Sequence, residues 1–196
     1  MSLKHTTLAS AVVTALALPL AAHAESTYTG AATGPVSASA RLDFRVVIPV
    51  FAYLRVGTGS TAPSLAADGT IDRLLFDVPA ANVGNSTAVA ATGGDTGGGA
   101  SVTFRMVGNN GNMTLAATGN PVAGPVNAGG QNIAWTQFSS STSGPVVPTI
   151  GGAAVPYAAT AGVVNSSGTW TYQYLNTTAP ASGQYDGRVT YTATTP

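Results

Sequence analysis

The chain has no cysteine, one lysine and two histidines, and only 7% of its 196 residues are charged. Without cysteine there is no disulfide bracing and no thiolate chemistry, so core packing and backbone pairing must supply the stability. Lys4, His5 and His23 all fall in an opening segment with the signature of an export signal. Its apolar stretch LASAVVTALALPLAA is followed by Ala22-His23-Ala24, a small-x-small cleavage site. Cleavage there predicts a mature chain starting at Glu25, with neither histidine nor lysine. Six arginines then face seven acids, for a formal net charge of −1. His-dependent triads and the common zinc sites cannot be built from this set, and no cofactor or metal is expected. Clustered cations for nucleic acid or for anionic lipid are missing as well. Long hydrophobic runs are also lacking. VVIPVFAYL spans nine residues, where a membrane helix needs about 20, so direct membrane insertion is not expected.

Serine, threonine, asparagine and glycine fill the polar positions, and the apolar residues alternate in short runs. SVTFRMVGNNGNMTLAAT sets Val102, Phe104 and Met106 against Met113 and Leu115 across Asn110-Gly111, the pattern of a hairpin. QNIAWTQFS predicts a short strand. SGTWTYQYLN places Trp170, Tyr172 and Tyr174 on one face, and GQYDGRVTYTAT alternates Tyr185, Val189, Tyr191 and Ala193 with polar residues. DGTIDRLLFDVP fits helix and strand; Pro79 and the Gly/Thr/Ser-rich surroundings favour strand. Gly- and Pro-rich loops separate the runs without marking a domain boundary. About seven strands with turn-rich joins predict one all-β domain, an antiparallel immunoglobulin-like β-sandwich. An outer-membrane barrel would need longer, evenly spaced strands and aromatic girdles, and only 7% of this chain is aromatic.

The remaining acid–base groups are Glu25, Asp43, Asp68, Asp72, Asp77, Asp95 and Asp186. A glycosidase needs two such carboxylates on one site. Asp43 and Asp186 instead alternate with apolar residues on strands beside arginine, so surface roles are expected and enzymatic activity is not. Asp68-Gly69-Thr70-Ile71-Asp72 lacks the acidic spacing and terminal Glu of a calcium loop. The glycines around Asp95 lack the lysine and helix of a phosphate loop. Trp135, Trp170, Tyr157, Tyr172 and Tyr174 suit inter-sheet packing and, alternatively, a sugar-stacking platform. Sequons at Asn85, Asn112, Asn165 and Asn176 are what chance supplies in so hydroxyl-rich a chain.

One stretch stands apart. In VSASARLDFRVVIP, Val36, Ala38, Ala40, Leu42, Phe44, Val46 and Ile48 share one parity, and Ser37, Ser39, Arg41, Asp43 and Arg45 the other. This is a strand for pairing, either the first of the chain's own sheet or one meant for a neighbour. Arg41, Asp43 and Arg45 read as a solvated edge face or as charges that fix register with a partner strand. With its export signal, polar mature N-terminus (ESTYTGAATGP), alternating first and last strands and Thr/Ala/Gly/Asn-rich middle, the chain resembles the subunits of chaperone–usher fimbriae. The similarity is to their cysteine-free common-pilus-like and archaic groups.

That resemblance implies a sandwich left incomplete and completed by a donor strand, supplied first by a periplasmic chaperone and then by the next subunit. It implies a route through the periplasm and an outer-membrane usher to a surface filament serving adhesion or biofilm formation. Under it the layout is a signal peptide (1–24), a mobile extension (25–35) and a sandwich (36–196). The donor is then either residues 26–36, with Tyr28, Gly30 and Ala32 facing in, or residues 36–48, whose side chains fill pockets better. The alternative is a self-contained secreted sandwich, an adhesin or carbohydrate-binding module using Trp135, Trp170, Tyr172 and Tyr174.

Overall fold

The computed structural model describes residues 25–59, 65–96 and 99–196. The export-signal reading of residues 1–24 lies outside them. The chain divides into two units; residues 36–48 belong to the first, and the second runs from Pro49 to Pro196. Among the described residues of this second unit the strands are β1 (Ala52–Val56), β2 (Leu74–Leu75), β3 (Val89–Ala90), β4 (Thr92–Gly93), β5 (Ser101–Gly108), β6 (Met113–Asn120), β7 (Phe138–Ser143), β8 (Val155–Tyr157), β9 (Val164–Tyr174) and β10 (Arg188–Thr194). Short 3₁₀ turns at Ala80–Asn82 and Trp135–Gln137 complete the elements.

The strands pair antiparallel into two main sheets, the all-β sandwich expected from the alternating runs. In the larger, β1 pairs with β5 and β5 with β9, while β7 and the short β3 also lie against β9. In the smaller, β6 is central between β10 and β8. A separate ribbon joins β2 to β4.

Period-two alternation explains the core. Val102, Phe104 and Met106 of β5, Met113, Leu115 and Ala117 of β6, and Val164, Trp170 and Tyr172 of β9 are all buried. Trp170 stacks on Phe104 with ring centroids 4.4 Å apart and meets Tyr191 of the opposite sheet at 5.2 Å. The Tyr172 and Tyr191 hydroxyls, 2.6 Å apart, add a hydrogen bond between the layers. Each fully buried large side chain contributes roughly 1.5–3 kcal/mol of transfer free energy.

Three local expectations change. The runs on either side of Asn110-Gly111 are strands but not a hairpin: β5 pairs with β1 and β9, whereas β6 pairs with β10 and β8. Both runs aim their apolar side chains at the same core, and the Asn-Gly turn carries the chain from one sheet to the other. In DGTIDRLLFDVP only Leu74 and Leu75 are strand. In QNIAWTQFS, Trp135 enters a 3₁₀ turn, with the strand starting at Phe138. The indole lies over Gly119 of β6, where a Cβ would collide with it, and donates Nε1–H to the Pro121 carbonyl at 2.8 Å. Trp135, Phe138 and Tyr174 then form a chain of ring contacts at 5.5–5.6 Å.

Candidate functional site

Every described residue from Glu25 to Val50 is exposed, and none belongs to a strand. The alternating stretch therefore has no ladder in its own chain. Leu42 is 73% exposed, Phe44 86%, Val46 81% and Ile48 73%. Single exposed apolar residues are ordinary, whereas contiguous exposed apolar runs are uncommon on monomeric soluble proteins. Val36, Ala38 and Ala40 continue the same parity, Val36 at 51% exposure.

On the polar parity, Arg41 makes a two-pronged pair with Glu25: Nε donates to Oε2 at 2.7 Å and a terminal nitrogen to Oε1 at 3.0 Å. That pairing holds the Glu25 carboxyl below its ordinary value. Both side chains lie in solvent, so salt screens the attraction. Asp43 and Arg45 lie on the same parity as Arg41 and are exposed.

Among the strand edges that no described strand occupies are those of β1 and β10. β1 pairs only with β5, and β10 only with β6. They end their respective sheets and approach each other across the sandwich. Burial differs between the paired strands β6 and β10. Along β6 the core-facing Met113, Leu115 and Ala117 are fully covered, whereas the core-facing Val189, Tyr191 and Ala193 of β10 are only half-buried. Leu54 and Val56 of β1 likewise pack on the core while staying partly open. Half-covered apolar side chains beside unpaired N–H and C=O groups are the features that strand addition completes.

The aromatic candidates sit elsewhere. Trp170 is 0% exposed, Tyr174 3% and Tyr172 8%, and Trp135 is half-buried against Gly119 and Phe138. Trp170, Tyr172 and Tyr174 are thus packed in the core and offer no ring to a ligand. Burial raises the hydroxyl pKa of Tyr172 and Tyr191, and pushes that of Tyr157 up to about 12.

The carboxylates are dispersed. Asp72 accepts from the Thr58 backbone and hydroxyl, Asp68 from the Thr70 amide, and Asp95 from the Thr103 backbone and hydroxyl. Asp186 accepts from Gln184. No group of three or more metal-binding side chains forms among the described residues, and no helix there is long and apolar enough to cross a membrane.

Asn176 went unread in the sequence except as a sequon. It is fully buried, its Oδ1 accepting from the Gly84 amide at 2.9 Å and its Nδ2 donating to the Asn82 carbonyl at 2.6 Å. It ties the loop before β3 to the end of β9. Its φ of 53° gives a local hint, since asparagine tolerates the left-handed region.

The chain matches no protein-family model, no curated protein and no solved structure.

Proposed function

We propose that this chain is an exported, pilin-like structural subunit without catalytic activity. It assembles into a surface filament by strand exchange, in adhesion or biofilm formation. The segment 36–48 of one copy lies along the open β1 and β10 edges of the next. The carrying observation is that an alternating, unpaired and exposed strand sequence shares a chain with a sandwich whose core is half-covered along two unpaired edges. Thirteen extended residues span roughly 43 Å at about 3.3 Å each, ample for the seven residues of β10. Burial of Leu42, Phe44, Val46 and Ile48 would supply roughly 1.5–3 kcal/mol apiece before ordering costs. Such a contact is head-to-tail, and repetition gives an open chain of subunits.

The partners under this reading are further copies of the chain, a periplasmic chaperone that shields the edges in transit, and an outer-membrane usher. Nucleic acid has no place in it. The test is expression with the native N-terminus, followed by denaturing electrophoresis of unheated and heated extract and negative-stain microscopy. A ladder collapsing to one band on heating, with fibres on the grid, is the expected result. A single cooperative monomer that folds unaided would replace this reading with the self-contained module.

A further inference from the structure

Two segments far apart in the chain, 126–129 and 182–186, meet just before β10 and form the walls of an open cleft of about 520 Å³. That volume falls in the range of small-ligand sites, about 300–1,000 Å³. Backbone pairing fixes the walls. Val126 and Asp186 exchange both N–H to O=C bonds, each at 3.0 Å. The Asn127 side chain braces its own loop: Oδ1 accepts from the Gly129 and Gln131 amides at 3.0 and 2.9 Å, and Nδ2 donates to Gln131 Oε1 at 2.9 Å. Gly129 and Gly183 add no side chains, and a Cβ on either would find its nearest contact at 3.4 or 3.5 Å. The space they face is therefore open.

The polar groups left to a ligand are mostly acceptors. Gln184 Nε2 donates to both Asp186 carboxylate oxygens, at 3.1 and 2.8 Å. This orients the carboxylate and leaves about two of its roughly four lone-pair sites unused. Gln184 Oε1 and the Ser182 hydroxyl make no hydrogen bond among the described residues. Asp186, Gln184 and Ser182 are all exposed. None of the lining residues is basic, and Val126 and Ala128 supply its apolar side chains.

We infer that this cleft binds a neutral sugar, with two adjacent ring hydroxyls donating to the Asp186 carboxylate and others bonding Gln184 Oε1 and Ser182. An oriented carboxylate presents two acceptors side by side, and hydrogen bonds to an ionised group are about twice as strong as neutral ones. An anionic ligand would meet Asp186 with no cation in the lining to offset it. Calcium takes about six to eight oxygens, several of them carboxylate, and no group of three metal-binding side chains forms among the described residues. Because the walls are held before any ligand arrives, little ordering cost falls on binding. The inference does not depend on filament assembly, since both walls belong to the second unit.

The test is saturation-transfer NMR on the full-length protein, in whatever assembled form it is extracted. The probes are the methyl glycosides of glucose, galactose and mannose, together with glucuronate and putrescine. Transfer to the ring protons of at least one methyl glycoside, and little to glucuronate or putrescine, is expected. Asp186→Asn should weaken that affinity about tenfold, the loss of roughly one charge-assisted contact, and Gln184→Ala should weaken it severalfold. Asp68→Asn removes an exposed carboxylate that does not line the cleft and should leave affinity unchanged. Transfer to no glycoside, equal or stronger transfer to glucuronate or putrescine, or equal loss in Asp68→Asn overturns the proposal. So does undiminished affinity in a normally melting Asp186→Asn or Gln184→Ala.

Discussion

At the scale of single residues, buried polar groups are where one substitution tells most. Asn176 satisfies two backbone groups of another loop from a fully buried position and does so at positive φ. Alanine would orphan the Gly84 amide and the Asn82 carbonyl and would strain the backbone. Each buried unsatisfied group costs about 1–3 kcal/mol. Asn176→Ala should therefore lower the unfolding free energy by about 2–4 kcal/mol, measured by urea titration. A change below about 0.5 kcal/mol, the size of an ordinary surface substitution, would show that the loop is held by something else. Trp170 tests the core in the same way. It is stacked on Phe104 and touches Tyr191, so Trp170→Ala should cost about 3–5 kcal/mol. An intact melting temperature would contradict its placement at the centre.

At the scale of elements, the contrast is between an alternating sequence that forms a paired strand and one that forms none. β10 alternates as the segment 36–48 does, yet β10 has a ladder with β6 and the segment has none. An aspartate at Leu42 or Phe44 would place a charge in the apolar parity. In the free chain these side chains already face water, so under the proposed strand exchange Phe44→Asp should leave monomer stability nearly unchanged while abolishing the electrophoretic ladder expected of the assembled chain. Asp43→Asn, on the opposite parity, should leave the ladder in place. Loss of folding in Phe44→Asp would instead mean that the segment pairs within its own chain.

This contrast also marks how far the sequence could be read. Alternation reveals which face a side chain takes, so Val102, Phe104, Met106, Met113, Leu115 and Tyr191 could be assigned to a core before any coordinates. It says nothing of the partner strand, which is why the turn at Asn110-Gly111 reads as a hairpin when it crosses between sheets. Trp135 shows a second limit. Its place in a turn depends on Gly119, sixteen residues earlier, leaving room for the indole. For the candidate site, the donor-like pattern of 36–48 is written in the chain. The open edges of β1 and β10 exist only once register is known.

At the scale of the whole molecule, stability must respond to pH in a direction set by tyrosines. Charged residues are 7% of the chain and there is no cysteine, so neither reductant nor moderate salt should shift the unfolding midpoint appreciably. Glu25 and Asp68 have lowered carboxyl pKa values. Their contribution is present above the unfolded value and fades as pH falls through the folded one, but both are fully exposed and little should be lost in acid. Tyr157, Tyr172, Tyr174 and Tyr191 are raised above the unfolded value of 10.0 by burial. A raised group contributes fully below the unfolded value, and its contribution is lost as pH rises toward the folded one, because the unfolded chain releases protons that the native core retains. The urea midpoint should therefore be nearly flat through neutrality and fall from about pH 10 toward pH 12, the value to which Tyr157 is pushed. Phenolate absorbance should rise with unfolding rather than ahead of it. A full phenolate signal at pH 11 from a chain that still unfolds cooperatively would mean that these hydroxyls are open to water. The half-covered β10 would then be looser than its ladder implies, and the Tyr172–Tyr191 bond between the two sheets would be the first contact to doubt.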